Sequence, residues 1–136
     1  MFFTSLKTNR GSAALEFALV IPTFMLLVMG SLEIGWALYI QNALVDASRL
    51  GARMAVTQEA SSDTIEASVR SYMDNMVAST DGLVVVTTPE PSTVERGTPI
   101  TVSVTLPYDN RVSIIATPIV FNGLDLEAQA TMNKEI

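Results

Sequence analysis

The chain contains neither cysteine nor histidine. The absence of cysteine excludes a disulfide framework and thiolate chemistry. Zinc sites and the commonest acid–base and nucleophilic catalysts also depend on these two residue types. We therefore expect no metal, no cofactor and no catalytic residue. An enzyme that relied on aspartate and glutamate alone is the alternative, but the sequence offers no paired carboxylates in a plausible cleft for it.

Charged residues are scarce and mostly acidic. They make up 16% of the 136 residues, and the net charge is −6. No run of basic residues could follow a phosphate backbone, so nucleic acid is not an expected partner. Hydrophobic residues make up 49% of the chain, and their concentration in the first third indicates a lipid-facing segment. The length suits one domain with an appendage.

The amino-terminal segment has the pattern of a membrane anchor. Residues 1–10 include Lys7 and Arg10 but no acid. No charged residue occurs in 17–32, which is about 24 Å of helix at ~1.5 Å per residue, and the flanks from about 13 to 40 extend it beyond a ~30 Å hydrocarbon core. The basic flank predicts a cytoplasmic amino terminus. A cleaved secretory signal is the alternative, but its apolar core has only ~7–15 residues.

Glu16 stands at the start of the apolar segment, where a carboxylate needs an explanation. At the bilayer centre such a residue costs about 2.5–3.5 kcal/mol, and less near the interface. Snorkelling to the headgroups and pairing with a cation account equally well for an isolated glutamate. The spacing decides between them, because Gly11 precedes Glu16 by five residues. A basic leader, this glycine, this glutamate and an apolar helix together form the prepilin processing signature.

Three segments carry a more specific resemblance. They are residues 10–22, 33–39 and 43–53, with the sequences RGSAALEFALVIP, EIGWALY and ALVDASRLGAR. In this order they resemble the TadE-like pilus-assembly proteins of tight-adherence (type IVc) systems. The resembling segments cover about a third of the chain, and their ordered combination is far more specific than the glycine–glutamate spacing alone.

The resemblance implies a non-enzymatic structural subunit, a minor pilin or pseudopilin, processed by a prepilin peptidase between Gly11 and Ser12. It implies that Glu16 then meets the new amino-terminal ammonium of a neighbouring subunit. Phe17, Pro22 and Glu33 belong to the membrane helix. The implied partners are the prepilin peptidase, other minor pilins, the major pilin and the inner-membrane assembly platform. The implied location is the inner (cytoplasmic) membrane, crossed once, with the head on the periplasmic or extracellular side and the pilus as an alternative location.

Two other functions stay open. A type II secretion pseudopilin usually has a bulkier apolar residue, often phenylalanine, directly after the processed glycine, where this chain has Ser12. A membrane-tethered binding module that is never processed would need only the anchor and the head.

The expected fold is α+β. We predict a leader over 1–11, a long amino-terminal helix over 12–57 and an extracytoplasmic head over 58–136. Asp63 and Glu66 have the spacing of a capping box that begins a second, amphipathic helix ending near Val77. Its apolar stripe comprises Ile65, Val69, Tyr72, Met73 and Met76.

Strand patterns follow the second predicted helix. They cover 83–88, 100–108 and 124–132, and the last two alternate apolar with polar residues. We expect a three-stranded antiparallel sheet covered by the second helix. The apolar stretch 112–121 has no clean period. We expect it to fold over the open side of the sheet and complete the core, with an exposed patch for a partner subunit as the alternative.

Overall fold

One long helix forms most of the amino-terminal part of the protein. In the computed structural model, which describes residues 10–57, 60–115, 118, 121 and 123–135, helix α1 covers Arg10–Ala55. At ~1.5 Å per residue it is about 69 Å long. Pro22 lies inside it, as membrane helices tolerate. The prediction of a helix over 12–57 is close to these bounds, and most of the predicted leader lies outside the described residues.

The two halves of α1 have different surroundings. The first half is apolar on all sides and exposed, whereas the second half is amphipathic and buries one face against the head. The buried face consists of small and aliphatic residues that recur with helical period: Ala37, Ile40, Ala43, Leu44, Ala47, Ala52 and Ala55. The small residues allow the head to approach the helix axis closely.

The second helix, α2, covers Ser62–Asp74 and buries Ile65, Val69 and Met73. Its predicted cap was wrong by two residues. The N-cap is Ser61, whose Oγ accepts a hydrogen bond from the Thr64 backbone N–H at 3.4 Å. Thr64 Oγ1 accepts in return from the Ser61 backbone N–H at 3.3 Å, so these two residues form the capping box. Asp63 lies in the first turn, where its negative charge interacts favourably with the helix dipole.

Within the described residues, three antiparallel strands form one sheet in the order β1–β2–β3. They are β1 (Val84–Thr88), β2 (Pro99–Tyr108) and β3 (Leu124–Asn133). Val85 pairs with Val104, and Val104 pairs with Ala128 across the sheet. The long central strand is therefore paired on both sides, and the predicted three-stranded antiparallel sheet is confirmed.

The sheet buries one face against the two helices. In β2 the predicted inward residues are all fully buried: Ile100, Val102, Val104, Leu106 and Tyr108. The same prediction for β3 holds only in part, because Ala128 is buried but Leu124 is 51% exposed. Leu124 is the first residue of an edge strand, so fewer neighbours cover it. On the outer face, Val84 and Val86 are about half exposed.

Gly51 is the position where α1, α2 and β2 approach most closely. A Cβ atom at Gly51 would lie 2.9 Å from Val102 Cγ1, 3.2 Å from Val69 Cγ2 and 3.3 Å from Ile65 Cγ2. A separation below 3.0 Å forces a neighbouring side chain to move. The glycine therefore sets the packing distance of the core, at the price of some helix propensity.

Candidate functional site

The exposed half of α1 is the first part of the candidate site. We call residues 13–32 the anchor segment. Its large apolar side chains are exposed: Leu15, Phe17, Leu19, Val20, Ile21, Phe24, Met25, Leu26, Leu27, Val28, Met29 and Leu32. In the described part of the chain, one helix is long and apolar enough to cross a membrane, over Ala13–Ala55. Because water would not favour so large an apolar surface, α1 fits a membrane anchor.

The predicted processing and assembly residues lie together at the start of α1. Gly11 and Ser12 are in its first turn, and Glu16 lies four residues after Ser12, on the same side of the helix as Ser12. The Glu16 side chain is exposed, as is Phe17. Side chains in a helix lean toward its amino terminus. The carboxylate of Glu16 is therefore directed toward the end of the helix that cleavage after Gly11 would create.

Glu33 lies at the other end of the anchor segment and is fully buried. Its carboxylate oxygen Oε1 accepts a hydrogen bond from the Phe121 backbone N–H at 3.4 Å. The Phe121 ring packs edge-on against Tyr108, with the ring centroids 5.9 Å apart. The contacts between α1 and the head therefore begin at Glu33, and Phe121, which lies between β2 and β3, packs against this carboxylate.

Two aromatic residues stand immediately beyond Glu33. The rings of Trp36 and Tyr39 stack, with centroids 5.1 Å apart and planes at 24°. Trp36 Nε1 donates a hydrogen bond to the Val112 carbonyl oxygen at 2.7 Å, and the Tyr39 hydroxyl donates to the Met76 carbonyl oxygen at 3.4 Å. The sequence analysis gave these aromatics no role. Their positions just after an apolar span could have indicated a place at the membrane–water interface, where Trp and Tyr are enriched.

The described part of the apolar stretch 112–121 contacts α1 through Val112 and Phe121. Of its described residues, Val112 and Pro118 are buried, and Phe121 packs against the core. These residues help to complete the core, which was the first of the two roles expected for this stretch. Ile114 differs from them because it is 56% exposed. The stretch therefore combines a buried part with an exposed apolar residue.

An ion-pair cluster fixes the polypeptide where it leaves β2. The Arg111 guanidinium donates to Asp109 at 2.7 Å and to Asp81 at 2.9 Å. Hydrogen bonds from Arg111 lower the pKa of the Asp109 carboxyl. The cluster is largely exposed, so it contributes little to the free energy of unfolding. It joins the turn before β1 to the segment after β2.

Metal-ligand clusters and hollows are the features of the rest of the described surface that could bear on chemistry. Among the residues that the structure describes, no group of three or more histidine, cysteine, aspartate or glutamate side chains could hold a metal ion. Three surface hollows in the described part of the chain lie along α1. One is lined by Asp46, Arg49, Leu50 and Arg53, and two others lie on the anchor segment. The features that distinguish the molecule are thus the anchor segment, the residues at its start and its junction with the head.

A family comparison bears on this segment directly. The profile of the TadE-like protein family matches residues 11–53. Residues 11–53 are TadE-like. The resemblance inferred from the sequence is thereby confirmed over about a third of the chain. The TadE-like segment contains the anchor segment and nearly all of the helix face that packs against the head.

The match has a clear limit at the head. It ends within α1 and includes neither α2 nor the sheet. Neither a curated protein nor a solved structure shows a significant match to the chain. The TadE-like family is a structural, non-enzymatic kind of protein, and the match to it suggests an association with tight-adherence pilus systems.

Proposed function

We propose that this TadE-like protein is a minor pilin or pseudopilin, a structural subunit in the assembly of a tight-adherence type IV pilus. One observation carries the proposal: a single continuous helix joins the Gly11–Glu16 motif, an exposed apolar anchor segment and a folded head. A soluble binding module would not be expected to expose the large apolar surface of the first half of that helix.

The anchor segment would have two successive environments in this function. Before assembly, lipid covers its apolar side chains while the head stays outside the cytoplasm. After assembly, neighbouring helices replace the lipid. Because both environments are apolar, the exchange involves little hydrophobic free energy, and specific contacts decide its direction. Glu16 would supply such a contact by pairing with the ammonium of Ser12 on a neighbouring subunit.

The proposed partners follow from these two environments. The prepilin peptidase acts on the leader, the inner-membrane assembly platform moves the subunit, and other minor pilins and the major pilin pack against its helix. The peptide bond to be cleaved lies in the first turn of α1. The backbone N–H groups there lack partners within the helix, so opening this turn for a peptidase disrupts few hydrogen bonds.

Cleavage between Gly11 and Ser12 is the direct test of processing. Co-expression with a prepilin peptidase should give a membrane-bound chain that begins at Ser12, as read by amino-terminal sequencing. Gly11→Ala should be cleaved poorly, because a peptidase that recognises this site must fit the backbone where no side chain is present. Gly30→Ala, at a helical position where nothing lies within 4 Å of a Cβ atom, is the control and should be cleaved normally. A first residue other than Ser12, or no cleavage, would favour an unprocessed binding module.

The orientation of the chain is a separate prediction. Lys7 and Arg10 should keep the amino terminus in the cytoplasm, while the head crosses the membrane. A reporter enzyme that works only outside the cytoplasm should be active when it is fused after Ile136. A reporter that fluoresces only inside should be dark at the same position. The reverse result would contradict both the orientation and the pilin function.

A further inference from the structure

The described residues between Arg111 and Leu124 (112–115, 118, 121 and 123) form what we call the β2–β3 connection, which lies where the anchor segment ends. It contacts α1 through the Phe121 N–H on Glu33 and through the Val112 carbonyl on Trp36. Glu33 directly follows Leu32, the last residue of the anchor segment, and it is the first buried residue along the described part of α1. The connection is therefore the part of the head next to the exposed helix.

The number of residues needed to cross a bilayer indicates where along α1 the outer membrane surface would lie. A hydrocarbon core of ~30 Å takes up about 20 helical residues. Counted from Ala13, such a span ends at about Leu32. Trp36 and Tyr39 then lie in the interfacial layer, where aromatic side chains are enriched because they have an apolar body and a polar group. The β2–β3 connection lies against α1 at this same level.

The chemistry of the connection suits a lipid surface. No lysine, arginine, aspartate or glutamate occurs in 112–124. Ile114 is 56% exposed and Leu124 is 51% exposed. The charged groups nearby stand outside this stretch, since Asp109 is paired with Arg111 before it and Asp125 follows it. These exposed aliphatic side chains, in a stretch that itself carries no charge, extend the apolar surface of the anchor segment.

We propose that the β2–β3 connection is a second membrane contact, in which Ile114 enters the boundary between headgroups and acyl chains of the outer leaflet. The proposal rests on the proposed membrane anchoring of α1. The contact would fix the tilt and rotation of the head against the bilayer. It would also have to be released when the subunit leaves the membrane for a filament. Because the contact is apolar, it requires no anionic lipid.

Site-specific fluorescence tests this contact in the full-length chain. The protein has no cysteine, so Ile114→Cys introduces a single thiol for an environment-sensitive dye. Val86→Cys is the matched control, because its side chain is 50% exposed but lies on the outer face of β1. Val86 pairs with Ser103. The neighbour of Ser103, Val102, lies against Gly51, so Val86 is at the level of Gly51 along α1. Gly51 is about 27 Å beyond Glu33 along the helix. Leu26→Cys reports on the anchor segment.

Each labelled protein is placed in phosphatidylcholine nanodiscs, with or without lipids that carry a nitroxide near the headgroup or deep in the acyl chain. The Ile114 dye should show blue-shifted emission and lose at least about half of its intensity to the shallow nitroxide. The deep nitroxide should quench the Leu26 dye more strongly. The Val86 dye should emit as in water and stay unquenched.

The three positions separate the possible failures. If the Leu26 dye is quenched but the Ile114 dye behaves like the Val86 dye, the second contact is wrong and the anchor stands. If the Ile114 dye is blue-shifted but neither nitroxide quenches it, protein covers this residue, and the proposal is also overturned. If the Leu26 dye is not quenched, the membrane anchoring itself fails, and the proposed function fails with it.

Discussion

Glu16→Leu should be inserted and cleaved like the wild-type protein but should fail to support piliation or to co-purify with partner pilins. In the proposed assembly, the Glu16 carboxylate compensates the ammonium of Ser12 on a neighbouring subunit. Removal of one member of a buried ion pair costs about 3–5 kcal/mol. That range corresponds to several hundred-fold or more in an assembly equilibrium, and the loss is smaller near the membrane interface.

The alternative for Glu16 makes the opposite prediction. If its side chain only reaches the headgroups, the leucine variant should be harmless and should insert at least as well. Glu16→Asp should give intermediate piliation, because it keeps the charge on a shorter side chain. Glu95→Leu is the control, since it removes the same charge from an exposed loop of the head and should leave piliation unchanged. Normal piliation by Glu16→Leu at a normal protein level would remove the main support for the assembly role.

The second large effect is expected at Gly51, in the core of the head. The Cβ atom alone would lie 2.9 Å from Val102 Cγ1, and leucine adds three further carbon atoms. Overpacking of a core typically costs about 1–3 kcal/mol and occasionally more, whereas the gain in helix propensity is only about 1 kcal/mol. Gly51→Leu should therefore lower the free energy of unfolding by roughly 2 kcal/mol or more. Gly51→Ala should have a smaller effect.

The experiment is a denaturant titration of the protein in detergent micelles. Trp36 is the only tryptophan of the chain, and it contacts the head through Val112, so its fluorescence reports on the unfolding of the head. Gly30→Leu is the matched control, because nothing lies within 4 Å of a Cβ atom at that position. The Gly51→Leu midpoint should fall while the Gly30→Leu midpoint stays or rises slightly. Equal midpoints would show that α1 does not pack as closely on β2 as the structure indicates.

Several features of the fold were predictable because they depend on local periodicity. The long helix follows from an apolar run after which small and apolar residues continue in helical register. The strict alternation from Ile100 to Tyr108 predicted both the strand and the face that it buries. The Gly11–Glu16 motif and the basic flank are likewise readable along the chain. They led to the family resemblance, which the match over 11–53 confirmed.

The start of α2 was decided by a contact from a distant part of the sequence. Ser61 and Asp63 are both good N-cap residues, so the local sequence did not choose between them. In the structure, the Ser62 backbone N–H donates to the Glu90 carboxylate at 3.1 Å, and the Ser62 hydroxyl donates to the same group. These hydrogen bonds lower the pKa of Glu90. They hold the first turn of α2 at Ser62, so Ser61 becomes the cap.

The environments of Glu33, Gly51 and Ile114 also required the tertiary structure. Along the chain, Glu33 is an acid at the end of an apolar segment and Gly51 is a glycine that weakens a helix. Only the folding of residues more than fifty positions away buries Glu33 under Phe121 and places Val102 against Gly51. The sequence by itself determined the anchor, the helices and the inward face of β2, because neighbouring residues fix those patterns. Only the tertiary structure decided what covers each residue, because burial depends on which distant segments pack together.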